Sequence, residues 1–391
     1  MPSTLSDGLL ASRQHQTRAE AFLEDLQQRI YESLGLSAED CQQREWMGQQ
    51  LVVPARLQQM ALQLTPAEFD RYRDALLDGL ARDEEARRPT RFERPHQYSI
   101  LRELQQAVER AAARLSFDVP TRPVLGTLPT RLLEPLMLPV PGTAEVVLVV
   151  DGSLLTYAHQ LAKAVAQALP QGLTEAEAPP RGAAQDWGEL DPAGTGRERF
   201  LQLMTACLDG NPASTPSYLP DPEWETVAAD LCDAMELFLV AREYAKLIQG
   251  DHLQARPERR SAHGQPFDAL VWTGEQELKA DWMGLALMLA AATERGASLA
   301  WAFWSADVLL ASFGVFERAA WLVASSPGAA VVAAPTAHDE RRRYLRELML
   351  QWHDGEQAVA FAESLQPVVD LLEAHLTSVL VDERLGPAQV H

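Results

Sequence analysis

The segments Leu231–Gln249, LCDAMELFLVAREYAKLIQ, and Glu275–Ala291, EQELKADWMGLALMLAA, decide how this chain is read. Both are rich in good helix formers and free of proline, so both predict helices. The first is apolar on nearly every side through Leu237–Ala241 and Tyr244–Ile248. The charges set into it, Arg242, Glu243 and Lys246, are therefore expected to be less than fully exposed. Positions 242 and 246 fall within ~40° of each other on a helix face, with 243 one step round. The second segment carries Glu277 and Asp281 one turn apart. Buried charges need partners, so Arg242, Glu243 and Lys246 are expected to meet groups of opposite charge.

Working outward, the chain before Asp118 predicts helices only. Ser37-Ala38-Glu39-Asp40 and Thr65-Pro66-Ala67-Glu68 are start signals, the second with Pro at the first helical position. An apolar stripe over about Tyr98–Leu115 predicts another amphipathic helix. Val-Pro-Thr-Arg-Pro at 119–123 breaks any helix and marks an edge. Three strands follow, at 124–128, 132–138 and 145–150, and then a helix over 154–169. His159 on that helix reads as a core histidine. Residues 170–225, broken by Pro and Gly around a helical piece at 197–208, read as a long inserted loop fit for a lid or a partner. Beyond the two site helices come an apolar helix through Phe316, a helix containing Trp321, and helices over 341–354 and 357–379. The expected class is α+β, mostly α-helical, with a small mixed sheet. It divides into an N-terminal helical region (1–117), a main domain (118–380) and a flexible tail (381–391).

Composition narrows the function. Of 391 residues 47% are hydrophobic and 23% charged, as in an ordinary globular protein with a large core. Fifty-five acidic against 34 basic residues give a net charge of -21, which argues against nucleic acid as a partner. The basic runs Arg256–Arg260 and Arg341–Arg343 are short and read as solvated faces. Cys41, Cys207 and Cys232 are dispersed, with no C-x-x-C pair, and no secretion signal opens the chain. A cytoplasmic protein is the expectation. Ala297–Phe316 is long enough to test against a bilayer, but Asp307 inside it favours a buried helix, so no stable membrane insertion is expected.

Four motifs share one order and spacing. Arg242-Glu243-Tyr244-Ala245-Lys246 stands where a zinc peptidase carries His-Glu-x-x-His, and Gly250-Asp251-His252 follows it. Glu277-x-x-x-Asp281 precedes Gly284, and Ala334-Pro335 precedes Arg341. In that order the span from about Pro123 to Arg343 resembles the gluzincin-type zinc metallopeptidases, in the broad class of the CAAX prenyl endopeptidases. The resemblance implies a metallopeptidase-like helical core in which Glu243 is a vestigial base, Glu277 stands for the ligand carboxylate and Asp281 for the residue orienting the first helix. Positions 242, 246 and 334 have lost their histidines. Protonated Arg and Lys have no lone pair to give a metal. No metal, cofactor or catalytic residue is therefore expected. The positive charge of Arg242 and Lys246 would replace that of zinc and neutralise Glu243, Glu277 and Asp281. Read without the resemblance, the same pentads are solvated charges on two ordinary helices, since i,i+4 pairs are common.

Three functions stand at this point. A non-catalytic pseudo-metallopeptidase would bind a neutral or basic protein or peptide, and could oligomerise or pair with an intact peptidase. An active metal-dependent hydrolase would need a non-standard ligand set drawn from His159, His252, His263 or His338. A helical adaptor would work through the N-terminal helices. No G-x-G-x-x-G or phosphate-binding loop is present, and Asp151-Gly152-Ser153 reads as a turn.

Overall fold

The computed structural model describes residues 16–41, 87–170, 190–325 and 336–385 without 217 and 219, together with 173 and isolated positions between 57 and 78. The fold is α+β and mostly helical. At its centre β3 (Val146–Val150) lies between β1 (Val124–Thr127), which runs parallel to it, and β2 (Leu136–Pro139), which runs antiparallel. All five residues of β3 are buried, as an unbroken Val-Val-Leu-Val-Val run requires when both faces are covered. Val147 and Val149 face α1 (Arg18–Ser33), packing with Leu23, Leu26 and Ile30. Leu148 and Val150 face the large helical core on the other side.

That core joins α2 (Pro95–Arg114), α3 (Gly152–Ala168), α4 (Thr195–Leu208), α5 (Pro222–Ile248), α6 (Gly274–Glu294) and α7 (Leu299–Ala324). The C-terminal α8 (Ala337–Met349), α9 (Gly355–Ser364) and α10 (Gln366–Leu385) pack against it. Helices α1 and α2, both before 118, are thus built into these clusters, one on each side of the sheet. Buried Glu93 ties them to the sheet: it accepts from Thr127 N and Oγ1, both at 2.9 Å. Burial pushes the Glu93 carboxyl up to about 7, against the hydrogen bonds from Thr127 and Gln27.

Several elements differ from expectation. The Arg256–Arg260 run lies not in a helix or loop but in β4 (Arg256–Ala262), paired antiparallel with β5 (Gln265–Val271). His263 and Gly264 both have positive φ, the twist-matched geometry of a two-residue hairpin turn. The apolar segment and the Trp321 segment form one helix, α7. Among the described helices it alone is long and apolar enough to cross a membrane, and 83% of its most apolar window is buried within the protein. The final helices break at 350–354 and at Leu365, and α10 continues to Leu385. His159 is exposed rather than in the core, with Nδ1 3.8 Å from the Cys232 sulfur. Glu68 and the apolar positions 72, 75, 76 and 80 after Thr65 lie outside the described residues, as does most of 171–189.

Candidate functional site

The two segments quoted at the outset become the neighbouring helices α5 and α6, and a glycine sets how closely they approach. A Cβ at Gly284 would come within 2.8 Å of the Arg242 Cα, so only glycine lets the backbones meet at this level. Arg242, Glu243, Lys246 and Asp281 are all buried, with exposures of 5%, 1%, 3% and 0%. The side chain of Glu277 keeps 27% of its surface.

These five groups form one ion-paired network, and α8 adds a sixth. Arg242 donates from Nε to Asp281 and from Nη2 to Glu277. Lys246 Nζ lies 2.8 Å from Glu243 Oε1 and 3.0 Å from Glu277 Oε1. Arg341 grips Asp281 with Nε and Nη2, at 2.6 and 2.7 Å. The tally is three cations against three carboxylates, where the sequence reading counted two against three. Arg341 is placed by the start of α8: Thr336 caps the helix in a reciprocal box with Asp339, and Arg318 on α7 holds Asp339 at 2.8 Å.

The electrostatics follow from burial set against proximity. Burial works to raise Asp281 and Glu277, but Arg242 with Arg341, and Arg242 with Lys246, outweigh it, so both carboxyls end below their usual range. Burial works to lower Arg242, and its carboxylate neighbours reverse the sign. Glu243 goes the other way: burial raises it, and Lys246 and Arg242 offset this only in part. Its Oε1 accepts from Lys246, whereas Oε2 is buried with no hydrogen-bond partner among the described residues. Oε2 is thus a buried acceptor that the described residues leave unmet, as they do several other buried polar atoms.

The network floors a cleft of about 850 Å³. Trp272, whose ring centroid lies 4.8 Å from Lys246 Nζ, and Phe313 and Phe316 of α7 give it an aromatic wall. His338 also lines it, 5.4 Å from the Phe313 ring. Burial, Arg341 and Arg242 push His338 down to about 4, so it is neutral at physiological pH. Arg341 at 3.1 Å donates to Nδ1, which leaves the ring proton on Nε2, 3.3 Å from Glu317. Glu134, Glu275, Glu317 and Glu340 stand at the cleft's edge with about half or more of each side chain exposed.

The structure therefore brings Arg242, Glu243, Lys246, Glu277 and Asp281 together, while Ala334 lies outside the described residues. Of the four candidate histidines only His338 reaches this cleft. His252 sits on a turn past the end of α5, His263 at the hairpin turn and His159 on α3. Among the described residues no group of three His, Cys, Asp or Glu side chains is placed to hold a metal. The aromatic wall escaped sequence reasoning because its residues come from different elements, with no spacing to link them to 242 or 277; His338 was a candidate only as one of four histidines, with nothing to place it at this cleft. No family model matches the chain, and none of the curated proteins or solved structures compared with it matches either.

Proposed function

We propose that this cleft is the binding site of a non-catalytic scaffold, a pseudo-metallopeptidase that holds a peptide segment of a protein partner and does not cleave it. The observation that carries the reading is the three-against-three ion network: Arg242, Lys246 and Arg341 occupy the oxygens of Glu277 and Asp281 that a metal would need. Glu243 offers the bound chain one buried acceptor, Oε2, suited to a peptide N–H. The aromatic wall supplies apolar contact, and the acidic edge favours a neutral or basic peptide.

The test combines metal analysis of the purified protein with fluorescence anisotropy of short labelled peptides, basic, neutral and acidic. Expected are no stoichiometric zinc, no cleavage, and preferential binding of basic or neutral peptides. Phe316→Ala and Glu243→Gln should each weaken that binding by roughly tenfold, the equivalent of ~1.4 kcal/mol. Stoichiometric zinc, with cleavage that Glu243→Gln abolishes, would establish the metal-dependent hydrolase instead. Peptide binding indifferent to both substitutions would move the function to another surface.

A further inference from the structure

A second cleft, of about 640 Å³, shares no lining residue with the first. It opens where the parallel strands β1 and β3 end and α3 begins, the position at which open α/β sheets present ligand sites. Arg94, Arg131, Tyr31, Ser153 and His263 line it, with Asp151 at its base.

Two arginines set this cleft apart. In a chain of net charge -21 most buried or half-buried arginines are matched to carboxylates, as Arg242, Arg318, Arg341, Arg342 and Arg346 are. Neither Arg94, which is half-buried, nor Arg131, which is exposed at the mouth, has an acidic partner among the described residues, and both line this one cavity. Arg131 is also held in the left-handed region, at φ 62, by its own N–H, which donates to Asp151 Oδ2 at 2.6 Å. A non-glycine residue pays roughly 1 kcal/mol or more for that conformation, and such outliers gather at ligand sites.

Two hydroxyls add to the donors. Ser153 Oγ is buried and has no hydrogen-bond partner among the described residues. Tyr31 is 5% exposed, its ring stacked on Phe92 at 5.5 Å, and no described residue takes its hydroxyl. The helix terminus itself is closed. Asp151 accepts from Ser153 N at 2.8 Å, from Arg131 N and from Thr130 Oγ1, so its charge is engaged within the protein and the donors left open are side chains. Asp209 and Asn211 at the margin offer acceptors to hydroxyl or amino groups of a larger ligand.

We infer that this second cleft binds a small phosphate ester, with the phosphate between Arg94 and Arg131 and the hydroxyls of Ser153 and Tyr31 completing its shell. Two guanidinium groups and two hydroxyls arriving from separate elements match a tetrahedral dianion better than a planar carboxylate, which two arginines would saturate. The cavity volume is that of a small-molecule site and admits a nucleoside monophosphate.

Isothermal titration of the full-length protein with adenosine monophosphate, inorganic phosphate and adenosine tests the assignment. The monophosphate and phosphate should bind, adenosine should not, and Arg94→Ala and Arg131→Ala should each weaken binding by at least about tenfold, as for a lost charged hydrogen bond. Because neither guanidinium has an acidic partner to abandon among the described residues, both variants should keep the wild-type circular dichroism. Arg256→Ala, on exposed β4, is the control and should bind like wild type. Failure of both phosphate probes, equal binding of adenosine, or affinity unchanged in the two cleft variants would overturn it. Since the clefts share no residue, this result is independent of peptide binding at the first.

Discussion

Asp281 and Asp307 are alike in almost every local respect. Each is buried near the middle of the helical core, each is held by two arginines, and each has its carboxyl driven down by them against the opposing effect of burial. Three of the four arginines sit on α8, the fourth being Arg242 on α5. Arg341 turns to Asp281, whereas Arg342 and Arg346, one turn apart on the neighbouring face, take Asp307 and share Gln366 as a further acceptor. The Asp307 centre has the look of a clasp that joins α7, α8 and α10. The Asp281 centre has the same clasp and two more features: it floors the large cleft, and next to it a carboxylate oxygen is left open at Glu243. Buried arginine–aspartate pairing is therefore how this fold fastens helices, and by itself it marks no function. The open cleft beside an unmet acceptor is what supports the proposed binding site there.

The likeness of the two centres is tested most severely by removing each aspartate. Asp281→Ala and Asp307→Ala should each lower stability by ~3–5 kcal/mol in urea denaturation, because each removes a buried carboxylate that two largely buried arginines share. A loss under ~1 kcal/mol at one site alone would break the comparison. Gly284→Ala should lower stability by ~1–3 kcal/mol by forcing α5 from α6, and it should weaken peptide binding as well, since the cleft floor moves with Arg242. Glu277→Ala should be milder, ~1–2 kcal/mol, because that side chain is partly hydrated and leaves Arg242 with Asp281 and Lys246 with Glu243.

The smallest effects separate the centres by the sign of their pH response. Asp281 and Asp307 titrate below their unfolded value, so their contribution is present above the ordinary carboxylate range and is lost as pH falls through the folded pKa. Glu243 is raised, so its contribution is fully present below its unfolded value and is lost as pH rises through the folded one. Glu243→Gln should remove that loss and flatten the fall of stability with pH. Glu93 supplies the scale, since its stabilisation should fade between about 4.5 and about 7 and disappear from the profile in Glu93→Gln. A Glu243→Gln profile parallel to wild type would show that this carboxyl titrates normally.

The sequence disclosed the part of the site that one helical period can carry. Arg242, Glu243 and Lys246 stood out because their helix is apolar all round, and Glu277 and Asp281 because they lie one turn apart on the next helix. Arg341 was visible through its place after Ala334-Pro335 and in a basic run read as solvated, whereas its side chain is 13% exposed and its ion pair with Asp281 depends on a helix-capping geometry that no spacing encodes. The β4–β5 hairpin was missed for a physical reason. Most of β4 faces solvent and reads Arg-Pro-Glu-Arg-Arg, with little strand propensity, and its turn is His-Gly rather than Asn-Gly. The buried valine strand and the apolar α7 were legible because their environment is uniform along the segment. The second cleft was not, because Asp151-Gly152-Ser153 reads as an ordinary turn until Arg94 and Arg131 are brought beside it.

The equal count of cations and carboxylates under the large cleft has a kinetic consequence. A floor with no net charge exerts little long-range field, so a peptide approaching the proposed site would sense first the exposed glutamates at the edge. Ionic strength should then slow the association of a basic peptide while leaving its residence time nearly constant, for the encounter is governed by solvated groups and the bound state by dry ones.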